Sequence, residues 1–561
     1  MSKIVIYQVF PRYFGNCGGC NLPGGTIEEN GVGKFKDFST RALSSIRQMG
    51  VTHIWYTGVL EHATRTDYTA FGIAADHPAV VKGRAGSPYA VKDYYDVDPD
   101  LAVSVPDRLK EFKSLVGRTH RAGMKVIIDF VPNHLARRYH SDVAPETDFG
   151  RNDDVNVAFS PRNNFYYLPG QAFQPQFDRQ ATAATPYEEY PAKVTGNDCF
   201  TASPSVSDWY ETVKLNYGVD YQGGRAEHFN PVPDTWEKML HILDYWAGFG
   251  VDGFRCDMAE MVPPAFWRWV IARVRQKHKS LLFIGEVYNP GLYRTYLEAG
   301  FDYLYDKVGL YDTLKAVTRG YAPAFAITSC WQRLGDLQDR MLNFLENHDE
   351  QRIASPFFAG DPWKAVPALI VSACLRNNPF MLYAGQELGE RGMYSEGFSG
   401  EDGRSTIFDY WRLDSLAKWN NHGRFDASLL PASTRELRAL YGRLLQLCQS
   451  EPALSQGLFF DLMYVNGDQP YFDTARQYAF LRRSERTLLL VVVNFDDQPK
   501  LLHVNIPRHA FDYLQLDETS SWEARELLTG ESRTLPLAPD SFVSLHIAGR
   551  RGCLWKYELE K

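Results

Sequence analysis

Four polar clusters in the chain each close a short apolar run: Asp129-Phe130-Val131-Pro132-Asn133-His134, Gly253-Phe254-Arg255-Cys256-Asp257, Ile284-Gly285-Glu286-Val287 and Glu346-Asn347-His348-Asp349. Apolar strands that all end in acid, Arg or His are a costly way to build a core, so the pattern points to chemistry. A carboxyl pair can break a glycosidic bond with retention. One carboxylate attacks the anomeric carbon, an acid protonates the leaving oxygen, and the two lie about 5–5.5 Å apart. Asp257 and Glu286 are the candidates for that pair. Arg255 stands two residues before Asp257, so on a strand it shares that face. There it would keep Asp257 ionised while Glu286 holds the proton. Asp349, His348 and His134 would bind sugar hydroxyls and stabilise an oxocarbenium-like transition state. Taken singly these residues have structural readings: Asp129 as a strand-end hydrogen bonder, Asn133 as a turn former, Arg255 with Asp257 as a buried ion pair. Their joint recurrence at strand ends is what argues for a site.

Such a site needs a frame to hold it. Apolar runs recur at Ile4–Phe10, Val51–Tyr56, Lys125–Phe130, Val251–Asp257, Leu281–Val287, Phe301–Tyr305, Met341–Leu345 and Pro379–Tyr383. Helical patterns follow several of them, at Ala42–Gly50, Pro106–Gly123, Pro264–Lys279 and Trp363–Asn377. Strand–helix alternation with near-continuous apolar strands is the pattern of a parallel sheet covered on both faces. Eight repeats favour closure into an α/β fold of the (β/α)8 TIM barrel type, whose C-terminal strand ends carry the active site. The turn after the first run, Phe14–Cys20, does not open a helix directly, unlike the phosphate turn of a doubly wound sheet.

The spacing is uneven. Asp129 and Asp257 lie 128 residues apart, whereas one βα unit needs about 30. The excess, roughly His134 to Asn230, is rich in Pro, Asn, Asp, Gly and aromatics. A structureless loop of that length does not suit a compact domain, so a folded insertion is expected. After the helical stretch Ser433–Cys448 come short strand patterns at Tyr478–Leu481, Leu488–Phe495, Leu501–Ile506 and Phe542–Ile547, the signature of an antiparallel β-domain. The expected division is a barrel over 1–134 and 231–450, an inserted domain over 135–230 and a C-terminal β-sandwich domain over 451–561.

Composition sets limits on partners. The formal charge is −8 with no basic block, which excludes nucleic acid and anionic membranes as natural partners. The longest uncharged run, near Ala365–Leu375, is too short to span a bilayer. The N-terminal run Met1–Phe10 reads as a β-strand and not as a signal peptide, so a cytoplasmic location is expected; a secretion signal removed beforehand would leave the same sequence. Of eight Cys only Cys17 and Cys20 are closely spaced, and a lone C-x-x-C is a weak metal or redox signal, so free and mostly buried thiols are expected. The 12 Trp, 32 Tyr and 34 Phe chiefly serve core packing, with a surplus suited to stacking on sugar rings.

The four clusters resemble the signature regions of the α-amylase family, glycoside hydrolase family 13. Ile6-Tyr7-Gln8-Val9-Phe10-Pro11, Lys214-Leu215-Asn216 and Gly385-Gln386-Glu387 are similar to further motifs of that family, and the likeness runs over nearly the whole chain. The resemblance implies a nucleophile at Asp257, a general acid/base at Glu286 and a transition-state stabiliser at Asp349. It places Arg255, His134 and His348 in the cleavage subsite beside Asp129. Tyr89, within Tyr89-Ala-Val-Lys-Asp93-Tyr94, falls where relatives carry a sugar-stacking Tyr, with a core Tyr as the alternative. Arg352 would reach the same pocket or serve the structure. The implied substrate is an α-glucan or maltooligosaccharide, hydrolysed at α-1,4 bonds. Transglycosylation is the first alternative, and a non-catalytic binding subunit the second; members of that kind lose carboxylates or gain an anchor.

The pattern also departs from the family. Many starch-cleaving relatives carry Lys-His three and four residues after the nucleophile, where this chain has Glu260-Met261. The chemistry calls for no cofactor. Relatives use the residue at Asn133 to help bind a structural calcium, so a metal at Asn133 is an expectation, although the acid-rich loop some members carry after strand one is absent and further oxygen ligands cannot be singled out.

Overall fold

The computed structural model describes residues 2–176, 185–393, 401–467, 469–517 and 519–559. Met1, residues 177–184 of the expected insertion, 394–400 of the expected barrel, and 468, 518 and 560–561 of the C-terminal region lie outside the described residues.

Eight parallel strands close into a barrel: Val5–Val9, His53–Tyr56, Lys125–Phe130, Gly253–Cys256, Leu282–Gly285, Tyr303–Tyr305, Met341–Phe344 and Phe380–Tyr383. The first pairs with both the second and the eighth, which removes any free edge. Each lies inside an apolar run marked by the sequence. Buried on both faces, these strands favour β-branched and aromatic side chains over an alternating pattern, as in Val126-Ile127-Ile128. The helices cover the outside. In Pro264–Lys277, Pro264 opens the first turn, and Phe266, Trp267, Val270, Ile271 and Val274 recur at helical spacing as the buried face.

Helix Val366–Cys374 is buried at every residue. It lies between the barrel and the C-terminal sheet, where Ile370 comes against Gly552, so it has no wet face to keep polar. Its apolar run is therefore a core helix. Among the described residues no helix is long and apolar enough to cross a membrane.

Two excursions leave the barrel mouth. After strand two, Leu60–His62 pairs antiparallel with Val91–Val97, a hairpin the sequence reading did not mark. After strand three, His134–Ala136 pairs with Thr212–Lys214, and Tyr167–Leu168 with Ala192–Lys193. A small core of its own, with Tyr166, Leu168, Phe173 and Tyr210, holds this insertion together. Past the barrel, Leu458–Asp461, Gln477–Arg483, Thr487–Asn494, Arg551–Glu558, Thr519–Glu526 and Ser532–Leu537 form a six-stranded antiparallel sheet in that order. Lys500–Ile506 pairs with Ser541–Ile547. The sequence reading missed four of these strands. Ser532–Leu537 shows why: it is polar at its start and contains Pro536, which an edge position tolerates.

All eight Cys are free thiols. Four of them, not most, are buried, and Cys20 is exposed.

Candidate active site

The barrel register delivers the carboxyl pair. Arg255 is the Cα partner of Asp129 on strand three and of Ile284 on strand five, and Cys256 is the partner of Gly285. The next step on each strand is Asp257 and Glu286. Their amides continue the ladder, Asp257 N donating to Phe130 O at 2.8 Å and Glu286 N to Cys256 O at 3.1 Å. Neighbouring strands are spaced about 4.8 Å apart, so the two residues stand side by side at the mouth. On the other side of strand five, Gly285 makes room for strand six, since a Cβ there would fall 2.8 Å from Leu304 Cδ2.

Arg255 is 1% exposed and serves three carboxylates. Its Nη1 lies 2.7 Å from Asp257 Oδ1 and 3.4 Å from Asp129 Oδ1, while Nη2 lies 2.8 Å from Glu286 Oε2. Its Nε donates to the Tyr305 hydroxyl at 3.1 Å. Burial pushes the Asp257 carboxyl well above the ordinary carboxylate range; Arg255 pulls it down and Glu286 pushes it further up. Arg255 opposes that rise, through both its charge and its hydrogen bond to Asp257 Oδ1, while sharing its guanidinium with two further acids.

Glu286 is gripped from both sides. Its Oε2 accepts from Met258 N at 2.7 Å and its Oε1 from the Tyr288 hydroxyl at 2.6 Å. Met258 adopts φ 42°, a left-handed conformation that turns its amide toward Glu286 and costs about 1–3 kcal/mol. Glu260 Oε2 accepts from the backbone N–H of Tyr288 and Asn289 at 3.2 and 3.0 Å. The residue that breaks the Lys-His pattern therefore fastens the loop that carries Tyr288.

Asp349 Oδ2 lies 3.0 Å from His348 Nε2, its side chain 34% exposed to the cleft. Burial raises its carboxyl, but His348, Arg255 and Arg404 outweigh that and leave it below its ordinary value. Gln8 Nε2 lies 2.8 Å from His348 Nδ1, which leaves His348 Nε2 facing Asp349 and the Tyr89 hydroxyl. Tyr89 meets that nitrogen at 2.5 Å and stacks on the ring, with centroids 5.2 Å apart. Burial, with Lys214 and Lys82, drives the His134 pKa down to about 3. A neutral His134, 3.9 Å from Asp257 Oδ2, is a hydrogen-bonding group and no ion-pair partner.

Asp257, Glu286, Asp349, Tyr89, His134 and Tyr288 line one cleft of about 430 Å³, a size that suits a small-molecule site. Asp129, Arg255 and His348 stand behind them. Asp129 Oδ2 accepts from Trp55 Nε1 and Gly58 N, both at 3.1 Å, which is its strand-end reading. Arg352 is not at the cleft: it is buried, with Nη1 on Glu346 Oε2 at 3.0 Å and Ala384 O at 2.9 Å, and Nε on Ser405 Oγ at 3.1 Å. The substrate-contact expectation for Arg352 is corrected to its structural alternative.

The metal expectation at Asn133 is corrected too. Asn133 Oδ1 accepts from Lys214 Nζ at 2.7 Å, Lys214 pairs with Asp198 at 2.6 Å, and Asn133 Nδ2 donates to Gly196 O at 2.8 Å. Lys214 sits opposite His134 in the strand pair, so the protein's own ammonium supplies the positive charge there. Sequence reasoning missed Tyr288, Met258, Trp209 and Phe408, all of which line the cleft. Tyr288 had a usable signal, being two residues past Glu286 along the strand direction. Trp209 and Phe408 arrive from distant loops and had none.

Fold and site together define the class: a (β/α)8 barrel with a carboxyl pair on adjacent strands at its C-terminal mouth. The chain belongs to the family described as "Alpha amylase, catalytic domain", which matches residues 8–412. It is 24% identical over 509 residues to an alpha-amylase of Streptomyces lividans, covering 82% of this chain and 50% of that protein. It is 23% identical over 514 residues to a cyclomaltodextrinase of a Bacillus species, covering 88% of this chain and 73% of that one. The chain thus spans half the length of the Streptomyces relative. Among solved structures, the maltogenic alpha-amylase AmyB of Thermotoga neapolitana shares the fold, with TM-score 0.62, 19% identity and 99% of each chain covered.

Proposed function

We propose that this chain is a retaining glycosidase that cleaves α-1,4-glucosidic bonds in starch-derived glucans or maltodextrins. The observation that carries this reading is the placement of Asp257 and Glu286 on adjacent strands, tied to one guanidinium and open to one cleft with Asp349. In this reading Asp257 attacks the anomeric carbon while Glu286 protonates the leaving oxygen, giving a glycosyl ester on Asp257. Glu286, now ionised, takes a proton from water, and that water releases the sugar. Asp349, low in pKa and a third exposed, stabilises the oxocarbenium-like charge and binds hydroxyls with His348 and His134. Tyr89 offers its ring to the sugar face. Both nucleophile and proton come from side chains, so the chemistry needs no cofactor. The names of the relatives, alpha-amylase and cyclomaltodextrinase, support an α-glucan substrate. We assign 1–134 and 231–450 to the catalytic unit, 135–230 to the insertion and 451–561 to a β-sandwich.

A second outcome is favoured by the aromatic rings of Trp209 and Phe408 on the cleft wall. They give a second sugar a surface to bind, and a sugar in place of water would make the reaction a transfer. Incubation with amylose, pullulan and maltotriose, with products separated by size and their first-formed anomer read by NMR, tests both. Shorter α-anomers are the expected hydrolysis products, and longer oligomers mean transfer. β-Anomers, or no cleavage of any of the three, would remove the proposal.

A further inference from the structure

Glu61 is 1% exposed, and neither of its carboxylate oxygens has a hydrogen-bond partner. Asp93 is its Cα partner in the antiparallel pair, and the register slips between Leu60, opposite Val97, and Glu61. That irregularity gathers the stretch from Asp93 to Val97 around Glu61. One carboxylate oxygen from each of Glu61, Asp93 and Asp96 lies within 4.8 Å of the others. Like charges opposed across a strand pair repel, and burial sharpens the repulsion.

The surrounding groups answer that repulsion at Asp93 and Asp96 but not at Glu61. Asp93 accepts from Tyr95 N at 2.7 Å and from Asp142 N at 2.8 Å. Asp96 accepts from Val97 N at 2.7 Å and pairs with Arg108 at 2.5 Å. Lys92 is directed to Asp76 at 3.1 Å. Among the described residues no cation pairs with Glu61. Two further oxygens near the cluster, Asp142 Oδ2 and the Tyr139 hydroxyl, also lack hydrogen-bond partners.

We propose that Glu61, Asp93 and Asp96 form a structural site for a hard divalent cation of calcium size, separate from the cleft. The donor set is all oxygen, which selects calcium or magnesium over zinc or copper. Calcium accepts several carboxylates in irregular geometry, with Glu61 free to bind through both oxygens; magnesium demands a near-ideal octahedron and keeps its water. The site joins three segments: the strand of Glu61, the strand of Asp93 and Asp96, and the start of the insertion at Asp142. The second of these strands begins two residues after Tyr89, so the cation would brace the hairpin that places Tyr89 against His348. The competing account is a proton shared within the cluster, under which calcium has no effect.

The test uses the whole chain, stripped of metal with a chelator and dialysed. Titration calorimetry with calcium chloride is expected to show one site per chain that Glu61→Gln weakens at least tenfold. Calcium is expected to raise the unfolding midpoint of the wild type by several degrees in a saturable way. Glu61→Gln should lose that response while its metal-free midpoint stays at or above the wild type's, because it removes one repelling charge. Should the first variant fail to fold, Asp96→Asn is expected to lose the calcium response in the same way, with a lower metal-free midpoint because Arg108 loses its partner. Equal midpoints in calcium and chelator, or calcium binding as tight in Glu61→Gln as in the wild type, would overturn the site. An equal response to magnesium chloride would overturn its calcium size.

Discussion

Asp257 and Glu286 hang from opposite nitrogens of one guanidinium, Asp257 at 2.7 Å from Arg255 Nη1 and Glu286 at 2.8 Å from Nη2. The geometry holds them one strand spacing apart and makes their proposed roles separable. Asp257→Asn and Glu286→Gln are each expected to lower turnover of maltooligosaccharides by several orders of magnitude with circular dichroism and unfolding midpoint little changed. A glucosyl donor whose leaving group needs no protonation, such as α-glucosyl fluoride, should recover much of the first step in Glu286→Gln and none in Asp257→Asn. Near-wild-type turnover in either variant would end the assignment.

Tyr288→Phe removes the 2.6 Å hydrogen bond to Glu286 Oε1 and leaves the ring in place. A hydrogen bond contributes about 0.5–1.5 kcal/mol net, so kcat should fall by about 2- to 10-fold. KM should move less than threefold, because the ring face on the cleft is kept. A large rise in KM with kcat unchanged would mean that the hydroxyl binds sugar instead of positioning Glu286.

The barrel and its carboxyl pair were readable because each strand is a short apolar run and Asp257 and Glu286 each stand one residue past the end of theirs. Period-two geometry alone puts Arg255 and Asp257 on one face. What escaped the reading depends on residues distant in sequence. Lys214 meets Asn133 across 81 positions, and no local pattern tells an ammonium there from a metal. Glu61 joins Asp93 and Asp96 only through a strand pair whose register slips twice, so no fixed spacing reports the cluster. Arg352 looked like a site residue from its distance to Asp349, but helix or strand spacing says nothing once the chain leaves the strand, and Glu346 captured it instead.

Lys214→Met should destabilise the fold while sparing the carboxyl pair. It leaves Asn133 Oδ1 buried without a donor, a loss of about 1–3 kcal/mol. Asp198, at 37% exposure, can turn to water and adds little. Thermal unfolding should show a drop of several degrees, with kcat within about threefold of wild type at low temperature. An unchanged midpoint would mean that Lys214 is not what satisfies Asn133.

Asp306 supplies a pH test that is independent of the cleft. It is 4% exposed, its Oδ1 accepts from Leu310 N at 2.9 Å, and burial lifts its carboxyl to about 6 despite that bond and one from Gly309. In the unfolded chain an Asp titrates near 3.9, so between about pH 4 and 6 the folded state holds a proton that the unfolded state has lost. Stability from this group is therefore full below about pH 4 and falls as pH rises to about 6, by about 3 kcal/mol at most. Asp306→Asn keeps the acceptor for Leu310 and carries no charge. Its unfolding midpoint should exceed the wild type's at pH 7 and match it near pH 4. A difference that stays the same at both pH values would show that the Asp306 carboxyl does not carry this dependence.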